Sequence, residues 1–178
     1  MSFIRLVEYS SRRGVATHPY PEKPFEVDEL YRGRPVLDAS VCIGCGACAN
    51  ACPAETIRVE TDYEKGVRRW TICYDRCIFC ARCQEVCPVN AIELSREFEL
   101  AARSREDLTV VAEFKLGSCA KCNSYLDVSI RHVELAQKLL EKSELVNIMR
   151  ELAKYTVMCM KCRRSFFVEK LGEATRGG

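Results

Sequence analysis

Between Cys42 and Pro88 the sequence writes one twelve-residue pattern twice, CIGCGACANACP and CIFCARCQEVCP. Each copy spaces its cysteines C-x2-C-x2-C-x3-C and ends on proline, the run that binds cubane iron–sulfur clusters. The iron of such a cube takes soft thiolate ligands, and two-residue gaps let a tight loop wrap three thiolates around three of its corners. The fourth cysteine falls a helical turn further on, where proline stops the turn and sends the chain away.

Where two such runs share a chain, the fourth cysteine of each reaches the other cluster. The expected ligand sets are therefore Cys42, Cys45, Cys48 and Cys87 for one 4Fe-4S cluster, and Cys77, Cys80, Cys83 and Cys52 for the second. The repeat extends beyond the cysteines: with a shift of 35, Ile43 falls on Ile78, Pro53 on Pro88 and Ile57 on Ile92. Duplicated halves of this size pack around a pseudo-twofold axis. Zinc sites or disulfides are the competing reading, and two complete four-cysteine runs argue against both.

Four further cysteines form C-A-K-C at Cys119 and Cys122 and C-M-K-C at Cys159 and Cys162. Paired C-x-x-C motifs around a helical insert read as a tetrahedral four-thiolate site, zinc before iron, and structural because every position is filled. Lys121, Lys161, Arg163 and Arg164 lie close enough in sequence to offset the charge of such a centre. Asn123 and Arg163, rather than glycine, follow the second cysteine of each pair, which makes a rubredoxin-like iron knuckle the less natural choice. Cys73, the thirteenth cysteine, has no place in any of these sets and reads as a small apolar residue.

Local pattern supplies the rest. Residues 1–13 can form an amphipathic helix with Phe3, Ile4 and Val7 on one side, either docking on a partner or a membrane surface or packing on its own domain. Prolines 19, 21 and 24 keep the stretch from Gly14 to Arg34 extended, and His18 within it reads as a surface hydrogen-bonding residue. TIRVETDYEKGVRRWTICY alternates like a hairpin turning at Glu64-Lys65-Gly66, and Ala91 to Leu94 mirrors its first strand. Ser95 is expected to cap a helix through about Arg103, followed by a strand from Leu108 to Phe114. Two helices are expected between the C-terminal pairs, one with Val128, His132, Leu135, Ala136 and Leu139 on a face, the other capped by Ser143 with Leu145, Ile148, Met149 and Leu152.

The predicted class is α+β: a two-cluster ferredoxin-like domain with an N-terminal extension and a C-terminal four-cysteine, zinc-ribbon-like helical appendage. The expected domains are 1–35 for the extension, 36–104 for the ferredoxin domain and 105–178 for the appendage. Lys+Arg 27 against Asp+Glu 25 gives a net charge of +2, which calls for no nucleic acid. The opening MSFIRLVEYSSRR lacks a signal-peptide pattern and no stretch suits a spanning helix, so a reducing cytoplasm is expected. Nucleophile–base pairs, phosphate-binding glycine loops and nucleotide fingerprints are missing from the pattern, so the chain reads as an electron relay rather than a catalyst.

The segments VATHPYPEKP, LYRGRPVLD, CIGCGACANACP, CIFCARCQEVCP and IELSREFELA together resemble the two-cluster ferredoxin subunit of complex I-related assemblies. Within that group they are most similar to the electron-transfer subunit of membrane-bound nickel–iron hydrogenases of the formate hydrogenlyase type, and the paired C-x-x-C motifs of the tail point the same way. The resemblance implies single-electron relay between a donor module and the small subunit of the hydrogenase. The donor stays open among formate dehydrogenase, carbon monoxide dehydrogenase and a ferredoxin. It further implies hydrogenase small and large subunits and membrane-arm subunits as partners, with peripheral attachment on the cytoplasmic side of the membrane. Competing readings are the ferredoxin-like subunit of a complex I-type quinone-reducing oxidoreductase, a stand-alone soluble ferredoxin with a structural zinc, and a non-redox module that uses its metals as staples.

Overall fold

The computed structural model describes residues 3–15, 17–141 and 154–176 and divides the chain into two units, Met1–Tyr31 and Arg32–Gly178. In the first unit, the periodic segment forms the helix α1 (Phe3–Arg13), none of whose residues is buried. Glu8 and Arg12, one turn apart, pair at 2.6 Å. Among its described residues, the proline-rich stretch that follows has neither helix nor strand. His18 organises it locally: its Nε2 lies 3.2 Å from the Lys23 carbonyl and 3.3 Å from that of Pro24, and its ring meets Phe25 edge-on.

The second unit is built from β1 (Pro35–Leu37), α2 (Ala47–Asn50), β2 (Ile57–Asp62), β3 (Val67–Cys73), α3 (Arg82–Glu85), β4 (Ile92–Leu94), β5 (Thr109–Ser118), β6 (Tyr125–Ser129), α4 (Ile130–Glu141) and α5 (Met160–Arg176). Strands β1 and β4 form an antiparallel pair, and β2-β3-β5-β6 an antiparallel meander. The alternation in the sequence sets which side of that meander is dry. Ile57 and Ile72 face each other across β2 and β3, with Trp70 on the same face, and all three are buried together with Tyr74, Ile92 and Phe114. Side chains of this size contribute about 1.5–3 kcal/mol each when fully buried. Tyr74 joins the two sheets by donating its hydroxyl to the Pro35 carbonyl at 2.7 Å. At the hairpin, Asp62 accepts the Glu64 and Lys65 amides, and Gly66 takes a left-handed φ of +65° where a Cβ would lie 2.5 Å from the Tyr125 ring.

Three local expectations change. The helix expected from Ser95 to Arg103 does not form: Gly33 N–H donates to Ser95 O, Ser95 N–H to Arg34 O and Arg34 N–H to Glu97 O, prolonging the β1–β4 pairing. Those cross-strand bonds claim the backbone that a helix would have used, and the Ser95 hydroxyl accepts from the Glu97 amide within an extended chain. The strand after it runs to Ser118, longer than expected, because it pairs with β3 from Thr109, opposite Cys73, to Lys115, opposite Val67, and then with β6 at Leu116 and Ser118. The segments 36–104 and 105–178 therefore share one sheet. Val128 lies on β6, not on the helix that begins at Ile130. Ser143, Leu145, Ile148, Met149 and Leu152 lie outside the described residues.

Candidate metal centres

The two cysteine runs follow the same backbone path. Left-handed φ values occur at Gly44 (+64°), Gly46 (+83°) and Glu55 (+50°), and again 35 residues later at Phe79 (+52°), Ala81 (+66°) and Asn90 (+51°). Each run thus turns twice through the left-handed region, then enters a one-turn helix, α2 or α3, that carries its third cysteine. A non-glycine residue in that region carries a steric cost, so the second run holds its loop at positions where the first uses glycine.

The fold brings the fourth cysteine of each run to the other run's three. Cys42, Cys45, Cys48 and Cys87 line one cavity, walled by Trp70, Pro88 and Ile92. Cys77, Cys80, Cys83 and Cys52 line a second, walled by Ile57, Ile72 and Thr56. Cys73 lines neither; its amide donates to the Thr56 carbonyl in the hairpin.

Donors converge on these sulfurs. In the first cavity the Trp70 indole donates to Cys48 at 3.3 Å, the Gly44 amide to Cys42 at 3.4 Å and the Ala91 amide to Cys87 at 3.1 Å. In the second, the Thr56 hydroxyl lies 3.2 Å from the sulfur of Cys52. Burial pushes the thiols of Cys42, Cys48 and Cys77 up, and that of Cys83 to about 11. For Cys52 burial acts upward too, but the Thr56 hydroxyl and nearby backbone amides outweigh it and the thiol is lowered. Four soft donors grouped in an apolar cavity, with amides aimed at the sulfurs, fit a polycationic iron–sulfur core and leave little else that would stabilise four thiolates together.

The tail forms a third cluster. The sulfurs of Cys119, Cys122, Cys159 and Cys162 all lie within 4.8 Å of one another. The first pair sits in the β5–β6 turn, closed by bonds from the Asn123 amide to Cys119 O and from the Cys119 amide to Ser124 O, with Asn123 taking the left-handed φ that glycine often fills. The second pair flanks the start of α5, where the Arg163 amide bonds Cys159 O. Ala120 N–H donates to Val157 O at 2.9 Å and ties the two pairs together. Backbone amides also reach the sulfurs, Cys159 N–H to Cys119 at 3.3 Å and Cys162 N–H to Cys159 at 3.5 Å. The Cys159 amide is the main reason the Cys119 thiol falls to about 6, while hydrogen bonds shared with Cys122 and Cys159 push Cys162 up to about 12. Four thiols in mutual contact suit one soft divalent cation, and the tight grouping fits zinc. Of the nearby cations, Lys121 approaches Glu169 at 3.9 Å and Arg163 donates to the carbonyls of Tyr155 and Met158.

Trp70, Thr56, Ser129 and Arg131 were not legible as site residues. The alternation that buries Trp70 was readable, but not that its N–H meets a cysteine. Ser129 and Arg131 act across the fold: the Ser129 hydroxyl donates to Ile43 O, and the Arg131 guanidinium to Ala39 O and Cys42 O.

Comparison with known proteins adds the family. The 4Fe-4S dicluster domain family matches residues 41–91. Formate hydrogenlyase subunit 6 of Escherichia coli K12 is 43% identical over 140 residues, covering 79% of this chain and 76% of that protein. Subunit I of the F(420)H(2) dehydrogenase of Methanosarcina mazei is 49% identical over 39 residues, 22% of each chain. Subunit I of the chloroplastic NAD(P)H-quinone oxidoreductase of Nephroselmis olivacea is 34% identical over 62 residues, 35% of each chain.

Proposed function

The chain belongs to the dicluster iron–sulfur family that includes formate hydrogenlyase subunit 6, and from that premise we propose that it relays single electrons between a donor module and the small subunit of a membrane-bound nickel–iron hydrogenase. The donor would be a formate dehydrogenase, a carbon monoxide dehydrogenase or a ferredoxin. The observation that carries the reading is the pairing of Cys87 with the first run's cavity and of Cys52 with the second's. Cys42, Cys45, Cys48 and Cys87 would hold one cluster, and Cys77, Cys80, Cys83 and Cys52 the other. When bound, such clusters take up and release one electron each. The chain's own part is to fix eight thiolates, exclude water with Trp70, Ile72 and Ile92, and direct N–H donors at chosen sulfurs.

The four tail cysteines would hold one structural zinc, which would pin the β5–β6 turn to the start of α5. Among the described residues no helix is long and apolar enough to cross a membrane. Attachment would therefore run through hydrogenase and membrane-arm subunits, on the cytoplasmic side. The hydrogenase assignment is preferred to a quinone-reducing complex because similarity to formate hydrogenlyase subunit 6 spans 140 residues, against 62 for the quinone oxidoreductase subunit.

The test is anaerobic isolation of the native protein with its bound partners. The expected result is about eight irons per chain, two interacting paramagnetic centres on reduction, and co-purifying hydrogenase subunits. A single cubane would overturn the ligand assignment, and a solitary chain would overturn the complex.

A further inference from the structure

The two cysteine loops share a backbone but not an environment. In the first, Ile43, Gly44, Gly46 and Cys48 are buried; at the positions 35 residues later only Cys83 is. Ile43 is 8% exposed and its counterpart Ile78 62%. The backbone repeat does not explain that difference, since the cysteine spacing and the left-handed φ values run in parallel. The explanation lies in the segment that follows it.

Strand β5 lays the Phe114 ring over the first loop, so that a Cβ at Gly44 would come 3.3 Å from the ring and 3.6 Å from the side chain of Ser129. Position 79, the matching one, carries a phenylalanine in the same left-handed conformation. Ser129 is fully buried at the end of β6 and donates to Ile43 O, while its oxygen accepts the His132 amide at 3.3 Å at the start of α4. Arg131 adds bonds to Ala39 O and Cys42 O, carbonyls at the start of the first run. Ser129 follows Cys122 by only seven residues, so the same short strand joins the four-cysteine site to the loop.

We propose that β5, β6 and α4 form a built-in cover over the Cys42–Cys48 loop, with Ser129 and Arg131 as its positioning residues. The cover makes the two centres unequal: it keeps solvent, oxidants and chelators from the first and leaves the Cys77–Cys83 loop open to them. This rests on the two-cluster reading above. Ser129 acts by holding a carbonyl next to Cys42, and Arg131 by clamping two carbonyls from outside the loop, so neither needs to touch a cluster to control access to it.

The test uses the anaerobically isolated protein, shown first to hold about eight irons. Clusters are partly degraded with ferricyanide and EDTA, freed thiols are alkylated, and the labelled cysteines are mapped by peptide mass. In the unaltered chain, label is expected first at Cys77, Cys80, Cys83 and Cys52. In Ser129→Ala and in Arg131→Ala, each of which loses two hydrogen bonds, the rate at Cys42, Cys45, Cys48 and Cys87 should rise at least about fivefold, the factor set by losing one. The rate at the second set should stay unchanged. Arg131→Lys, which keeps the charge and a donor, should recover most of the protection. Because the Arg131 side chain is at the surface, its variants test the cover even where Ser129→Ala fails to fold. Equal release of both sets from the unaltered chain, or variants that speed both or neither, would overturn the cover. Failure to find two clusters at the outset would overturn the ligand reading instead.

Discussion

The indole N–H of Trp70 points at the sulfur of Cys48 across 3.3 Å, from the middle of β3 to the one-turn helix that carries the third cysteine of the first run. Hydrogen bonds to cluster sulfurs stabilise the more negative, reduced form and so raise its potential. Trp70→Phe keeps an aromatic ring, smaller than the indole, and removes the donor. The first centre's potential should fall by roughly 20–60 mV, the one-electron equivalent of the ~0.5–1.5 kcal/mol that a hydrogen bond carries. Titration followed by paramagnetic resonance reads it, and an unchanged potential would show that the bond does not persist in the loaded protein.

Thr56 offers the same test at the other centre. Its hydroxyl lies 3.2 Å from the Cys52 sulfur, and Thr56 is itself buried. Thr56→Val keeps the shape and deletes the donor, so the second centre's potential should fall by a similar amount while the first stays put. A shift at the first centre alone would mean that Cys52 serves that cluster, and the crossed ligand assignment would have to be reversed.

Much of the chemistry was legible because it is local. Twelve cysteines announce themselves by spacing alone, and the hairpin between the runs follows from alternation at Ile57, Val59, Trp70 and Ile72. What escaped is non-local. Ser95 has the chemistry of a helix cap, yet its backbone pairs with Gly33 and Arg34, some sixty residues earlier. Val128 fits a helical stripe by period, yet it belongs to β6, which pairs with β5. Nor does any pattern in a single sequence announce that Ser129 and Arg131 bond carbonyls about ninety residues away. The resulting inequality of two loops with the same cysteine spacing and backbone turns is a property of packing.

Gly33 shows how strongly that ribbon resists change. A Cβ there would lie 2.6 Å from the Ser95 carbonyl oxygen and 2.9 Å from the Glu97 nitrogen, backbone atoms that cannot turn aside, with the Glu97 carbonyl closer still. Gly33→Ala must push the Ser95–Glu97 strand away and weaken three cross-strand bonds. We expect a loss of about 1–3 kcal/mol, the usual range for overpacking, measured by denaturant unfolding of the anaerobic protein. A loss under about 0.5 kcal/mol, the level of an ordinary surface substitution, would mean that the pairing of residues 33 and 34 with 95 and 97 contributes little.

Cys122 is the exposed member of the tail's four, yet its sulfur lies 3.6 Å from that of Cys159 and 3.0 Å from the Ser124 hydroxyl. Removing it takes one ligand from a site whose stability depends on having all four. Cys122→Ser should therefore lower zinc from about one equivalent to background while about eight irons remain. Elemental analysis of the desalted protein reads both metals at once. Iron in that cage would instead raise the unaltered protein to about nine irons, with the ninth lost on substitution. Unchanged metal content in the variant would mean that the four sulfurs, close as they are, hold no ion.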